Sequence, residues 1–172
     1  CRLGELPAYL VDAPALFRRA GNPYVDDQGH DWPDNAVRFA ALAHAAARFA
    51  AGSIDLWRPD VVHSHDWHAG LAGAYLRARG GDIPASVFTI HNLAYQGQFD
   101  AAQFGALRLP ERFFAMHGVE FHGALSFMKA GLFYADRITT VSPSYAHEIQ
   151  GSEFGFGMEG LLRSRAGAVS GI

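Results

Sequence analysis

Two apolar patterns alternate along the chain: short runs rich in Val, Ile and Phe, and longer alanine-rich stretches whose apolar positions recur at helical spacing. The run AYLVD over 8–12 predicts a strand stopped by Ala13 and Pro14, followed by a long polar loop holding Gly21, Pro23, Gly29 and Pro33. A helix is predicted over 35–51, with Val37, Ala41, Leu42 and Ala45 on one face, Asp34 as N-cap and Gly52 closing the end. A second strand covers 60–65, and an alanine-rich helix over 67–79 ends at Gly80 and Gly81. SVFTIH over 86–91 supplies the next strand; with a helix between them, the two strands should pair in parallel through a right-handed crossover.

The segment 92–122 is unusually long for a connection. Its aromatics Tyr95, Phe99, Phe104, Phe113 and Phe114 suit a packed functional loop with some short helix inside it. A helix over 124–135, a strand over 137–141 and a helix opened by Ser142 and Pro143 complete the alternation, and the sequence stops at the start of a possible strand. This order predicts an α/β fold built on a parallel sheet with flanking helices.

Composition narrows the function classes. With 172 residues, 49% hydrophobic and 18% charged, and with 19 Gly and 8 Pro scattered through it, the chain reads as one globular domain and not as a disordered, collagen-like or coiled-coil segment. The net charge is −3 and Lys129 is the only lysine, so no basic stripe is available for a nucleic acid. Cys1 is the single cysteine, which excludes an internal disulfide framework and a thiolate zinc site and fits a reducing cytosol. No stretch reaches the roughly 18 apolar residues of a membrane span, and no signal pattern opens the chain. Beginning at Cys1 and ending in a possible strand, it reads as an excerpt.

In an open parallel sheet, ligands bind beyond the carboxyl ends of the strands. Three predicted strands end in His65 and Asp66, in His91 and Asn92, and in Ser142, placing imidazole, carboxylate, amide and hydroxyl groups on one rim. The plain alternative is that Asp66 and Ser142 only cap the helices that follow. The cluster His63, His65, Asp66 and His68 invites a metal-hydrolase reading, against which His63 is expected to be buried and hydrogen-bonded within the sheet. Residues 155–160, GFGMEG, match the dinucleotide fingerprint G-x-G-x-x-G, but no strand is predicted immediately before them. Glycoside hydrolysis would pair Asp66 with a second carboxylate, for which Glu120, Glu148 and Glu159 are open alternatives.

Four separated blocks, RPDVVHSHDWHAG over 58–70, VFTIHNLAYQG over 87–97, ADRITTVSPSY over 135–145 and GMEGLL over 157–162, resemble the glycogen and starch synthase family across nearly the whole chain. The resemblance implies a Rossmann-like part of the N-terminal domain of a GT-B glycosyltransferase, with residues 1–172 forming a single, incomplete domain. It further implies a cytoplasmic, retaining enzyme that moves glucose from ADP-glucose to the non-reducing end of glycogen or another α-1,4-glucan, with no cofactor, no metal, no nucleic acid and no membrane. The family's Lys-X-Gly-Gly loop and its C-terminal nucleotide-binding domain are not in this sequence, which implies an inactive fragment.

Position by position, the resemblance places His91 beside the donor glucose and the reacting carbon, and Asp66 at the sugar site as the carboxylate. Trp67 and Tyr24 match acceptor-side aromatics, and Asn92, His68 and Tyr95 are implied neighbours in substrate binding. The plain alternative for Trp67 is a core aromatic. The competing functions are a sugar-binding module without catalysis and a metal-dependent hydrolase using residues 63–68.

Overall fold

The computed structural model describes residues 1–53 and 57–172. The chain opens with an antiparallel hairpin of β1 (Arg2–Leu3) and β2 (Leu6–Pro7), turned at Gly4 with φ +62°. The strand expected over 8–12 does not form. Residues 8–13 run without regular structure, Tyr9 and Leu10 are 63% and 80% exposed, and no strand among the described residues lies alongside to complete a ladder.

After the short α1 (Pro14–Phe17), α2 (Asn35–Ala50) forms as predicted, and Gly52 with φ +70° follows its end. Two details differ. Asp34 makes no side-chain cap, because both its oxygens accept hydrogen bonds from the Arg19 guanidinium at 2.6 Å. The buried face is Ala36, Phe39, Ala40, Ala43 and Ala47, whereas Leu42 of the expected face is 40% exposed. In a helix apolar almost all round, spacing alone does not select the stripe that meets the core.

The strand β3 (Val61–His65) leads into α3 (Asp66–Ala69) and α4 (Leu71–Arg79), where one continuous helix was expected. The break is at Gly70, where a Cβ would lie 2.0 Å from the carbonyl oxygen of Phe127, so only glycine permits this approach. Gly80 terminates α4 with φ +68°. β4 (Ala85–Ile90) pairs with β3 in parallel, as expected, with His63 opposite Val87 and His65 opposite Thr89.

The long connection is more ordered than its composition announced. It holds β5 (Gln98–Asp100), two 3-10 turns (Ala101–Leu107 and Glu111–Phe113) and β6 (Glu120–Phe121), followed by β7 (Ala124–Ser126). These strands form a small antiparallel sheet in the order β5-β7-β6. The helix expected from 124 therefore starts later, because residues 124–126 are taken by pairing on both sides. The Ser126 hydroxyl accepts from the Lys129 N–H at 3.1 Å and caps α5 (Phe127–Tyr134).

β8 (Arg137–Thr140) and α6 (Pro143–Glu148) follow, the latter capped by Ser142, whose Oγ accepts from the Tyr145 N–H at 3.1 Å. α7 (Glu159–Ser164) and β9 (Val169–Gly171) complete the main sheet, which runs β3-β4-β8-β9 with every pair parallel. This is the α/β, Rossmann-like architecture expected. Helix α5 joins two buried clusters: Phe127 and Ala130 belong to one with α2 and α4, and Met128 and Leu132 to one with Phe88, Ile90 and Ile138. No helix among the described residues is long and apolar enough to cross a membrane.

Candidate active site at the carboxyl edge of the sheet

Parallel pairing brings the carboxyl ends of β3, β4 and β8 to one edge, and there the structure joins two of the expected residues directly. Asp66 stands at the β3–α3 junction with φ +52°, a left-handed conformation that a non-glycine residue adopts at a cost. Its Oδ1 accepts the backbone N–H of His91 at 2.8 Å, tying the end of β3 to the end of β4. Asp66 is not a helix cap: the N-cap position of α3 is His65, and no side chain caps it. The helix-capping alternative holds for Ser142 and fails for Asp66. The His91 ring is fixed from the side, its Nε2 lying 3.0 Å from Nδ1 of His65.

Beside this joint opens a cleft of about 680 Å³, lined by Tyr24, Asp66, Trp67, His68, Asn92 and Tyr95 among others. Six of the seven predicted site residues thus face one space; His91 is not among its lining residues but is held at its margin by Asp66. The volume suits a sugar-sized ligand. Trp67 is half-buried, packs edge-on against Phe39 at 4.5 Å and stacks on His68 at 4.1 Å between centroids, so it belongs to the core margin and to the cleft at once. Gly97, with φ +56°, lets the loop lie against that indole, since a Cβ there would meet the ring at 2.3 Å.

Tyr24 is placed by its own loop. Asn22 Oδ1 accepts from the N–H groups of Tyr24 and Val25, and the Asn35 amide of α2 donates to the Tyr24 carbonyl at 2.7 Å. Its hydroxyl lies 2.8 Å from His68 Nε2. Burial pushes the His68 imidazole below its usual protonation range, with Asp66 opposing, so His68 is disposed to be neutral and to exchange one hydrogen bond with Tyr24. On the other side, the Asn92 side chain accepts from the Ala94 N–H at 3.0 Å, and the Leu93 N–H donates to the Tyr145 hydroxyl at 2.9 Å, so α6 braces the loop that carries Asn92 and Tyr95. Tyr95 itself is 67% exposed.

The cleft also contains residues that sequence reasoning missed: Asp31, Trp32, Asn35, Gln98, Asp100 and Gln103. They come from the polar loop before α2 and from the β5 region, whose positions no local pattern announces. Glu120, Glu148 and Glu159 do not line it. Glu120 instead accepts from the Gly123 N–H at 2.7 Å to close a turn. His63 is hydrogen-bonded to Thr89 Oγ1 at 2.6 Å, as expected, but it is exposed and not buried, because β3 is the edge strand among those described. Among the described residues no three His, Cys, Asp or Glu side chains are grouped so as to hold a metal ion. The 155–160 motif follows turns and not a strand, so it lacks the strand–turn–helix context of a dinucleotide site.

A Rossmann-like parallel sheet with a cleft at its carboxyl edge is the kind of architecture on which GT-B glycosyltransferases are built. The starch synthase catalytic domain family matches residues 1–164, and the chain belongs to that family. It is 55% identical over 171 residues to a glycogen synthase of Rhodopseudomonas palustris, covering 99% of this chain and 35% of that protein. It is 59% identical over 167 residues to a glycogen synthase of Edwardsiella ictaluri, covering 95% of this chain and 35% of that protein. The chain therefore spans about a third of the length of the curated relatives it matches. Among solved structures, the catalytic domain of starch synthase IV from Arabidopsis thaliana, bound to ADP and acarbose, superimposes with a TM-score of 0.70 at 26% identity, covering 84% of this chain and 31% of that one. The metal-hydrolase alternative is not favoured by these likenesses.

Proposed function

We propose that residues 1–172 form an incomplete N-terminal domain of a cytoplasmic glycogen synthase and supply one wall of the cleft in which glucose passes from ADP-glucose to the non-reducing end of an α-1,4-glucan, with retention of configuration. The observation that carries this reading is the convergence of Tyr24, Asp66, Trp67, His68, Asn92 and Tyr95 on one cleft beside His91, in a chain of the starch synthase family. The ADP and acarbose held by the Arabidopsis relative support a nucleotide-sugar donor and a glucan acceptor.

The chemistry fits these groups. As the bond from glucose to diphosphate breaks, positive charge develops on the sugar ring, and a carboxylate preorganised nearby stabilises that state more than the ground state. Asp66 Oδ1 is engaged by His91, and Oδ2 has no hydrogen-bond partner among the described residues, leaving it to face a ligand. His91 orients a sugar hydroxyl, while Trp67 and Tyr24 offer flat faces for glucan rings. The leaving diphosphate needs cations. No lysine or arginine lines the cleft among the described residues, and Lys129 is buried with its ammonium donating to the carbonyls of Met116 and Glu120. That charge must be brought by another part of the longer protein as the cleft closes.

The test is glucose transfer from ADP-glucose to glycogen by the full-length parent, with and without chelator, beside the 172-residue chain. Chelator-resistant transfer by the parent and none by the short chain is expected, with His91→Ala in the parent lowering kcat by about 10²-fold or more. Transfer by the short chain alone, or a chelator-sensitive hydrolysis, would overturn the reading. Glucan binding by a parent that transfers nothing would make it a sugar-binding module.

A further inference from the structure

The period of a strand puts His63 and His65 on the same face of β3, and their ring centroids are 4.2 Å apart. Each ring is pinned to the neighbouring strand or its end. His63 Nε2 lies 2.6 Å from Thr89 Oγ1, which lies 2.6 Å from Thr139 Oγ1, so a polar ladder crosses β3, β4 and β8. His65 Nδ1 lies 3.0 Å from His91 Nε2. With Asp66 holding the His91 main chain, the residue is gripped at two points: backbone by carboxylate, ring by imidazole.

We infer that His65 is a positioning residue for His91: by engaging Nε2 it ties the tautomer of the His91 ring to its own, fixes the ring's tilt and leaves Nδ1 as the nitrogen that meets the donor sugar. The inference rests on the reading of His91 as a sugar-contacting residue. A bond between two imidazoles needs one ring to donate and the other to accept, so both cannot be protonated while it lasts. Burial, then the neighbouring His63 and His91, pushes His65 below its usual protonation range, with Asp66 opposing, which favours the neutral ring that such a bond needs. His63, anchored by Thr89, packs beside the His65 ring with the two planes tilted by 31°. His65 is itself exposed and is not among the residues lining the cleft, so its effect on a reaction there runs through His91.

The test uses the full-length parent. His65→Ala should lower kcat/KM for the donor about 10- to 100-fold while the KM for glycogen stays unchanged, the loss expected when a contact group loses its orientation. His65→Asn places an amide atom where Nδ1 stands and should recover to within about threefold of the parent, whereas His65→Gln, whose amide falls further out, should stay with the alanine variant. In ¹⁵N spectra of histidine-labelled protein, the two His91 ring nitrogens should be distinct in the parent and in His65→Asn, and averaged in His65→Ala. The inference is overturned if His65→Ala stays within about twofold of the parent while His91→Ala is inactive, if Asn and Gln behave alike, or if the His91 ring shifts do not move. A fully active His91→Ala would sink the catalytic reading instead; the ¹⁵N shifts would still decide whether His65 positions the ring.

Discussion

Asp66 and Asp136 occupy opposite edges of the same parallel sheet, and their surroundings could hardly differ more. Asp136, just before β8, accepts hydrogen bonds from the Ser86 N–H and Oγ–H at 2.8 Å each and pairs with Arg77 at 2.5 Å. Its own N–H donates to the Ser86 carbonyl at 2.9 Å, and the Arg165 guanidinium donates to the adjacent Ala135 carbonyl at 2.6 Å. Asp66, just after β3, has one side-chain hydrogen-bond partner among the described residues, the His91 N–H, and a strained backbone. At the amino edge both carboxylate oxygens of the aspartate are engaged; at the carboxyl edge one oxygen has no hydrogen-bond partner among the described residues and strain is retained. Saturated hydrogen bonding holds a fold together, whereas an unsatisfied, rigidly placed group is what a ligand needs.

The contrast breaks most sharply on Asp66→Asn in the full-length protein. Transfer should fall by about 10²- to 10⁴-fold from loss of the carboxylate charge. Asn still accepts from the His91 N–H and tolerates the left-handed backbone better than most residues, so thermal unfolding should shift little. A melting loss with activity retained would assign Asp66 to stability after all.

Next in size is Gly70→Ala, behind the carboxyl edge. Its Cβ would lie 2.0 Å from the Phe127 carbonyl oxygen, a backbone atom with no flexible side chain to swing away. A loss of about 3 kcal/mol or more is expected by denaturant unfolding, since α3 must move off α5. Unchanged stability would mean that this contact is slack.

Asp136→Asn should do the reverse of Asp66→Asn. The loss is about 1–2 kcal/mol, mostly from the Ser86 hydrogen bonds, because the Arg77 pair is some 40% exposed on both sides and solvent screens it. Transfer below the melting temperature should be unaffected. Burial pushes the Asp136 carboxyl up, but the Ser86 bonds and the Arg77 charge outweigh it and hold it below the usual carboxylate range. A depressed folded value means that this stability is present above the unfolded value and disappears as pH falls through the folded one. Asp136→Asn should therefore flatten the acid end of the stability profile, and an unchanged acid slope would remove Asp136 as a source of it.

The smallest effect is expected for Tyr24→Phe, which keeps the ring and deletes the hydroxyl shared with His68. The KM for glucan should rise about three- to tenfold with kcat near the parent value. A change in kcat instead would place Tyr24 on the donor side.

The strands at 61–65, 85–90 and 137–140 were legible because each is a short run containing β-branched residues, and Ser142 followed by Pro143 announces a helix start from the residues alone. Parallel pairing then followed from the intervening helices, and with it the rim of His65, Asp66, His91 and Asn92. The failures share one cause. Residues 8–12 have strand composition and no partner strand beside them among the described residues; residues 124–126 have helical composition and strands on both sides. Asp34 has a capping side chain, but a guanidinium fifteen positions away claims it.

Local chemistry along the chain thus determined the strands β3, β4 and β8 of the main sheet, the edge on which chemistry could gather and the residue types gathered there, since periodicity, caps and breakers act over a few residues. Which face of α2 is buried, that Asp66 reaches for His91 instead of capping its helix, that His65 grips the His91 ring, and that Asp31, Trp32 and Gln98 share the cleft were decided only by the folded chain. Those contacts join residues that no short-range rule relates, and each forms because packing places two distant segments within hydrogen-bond reach.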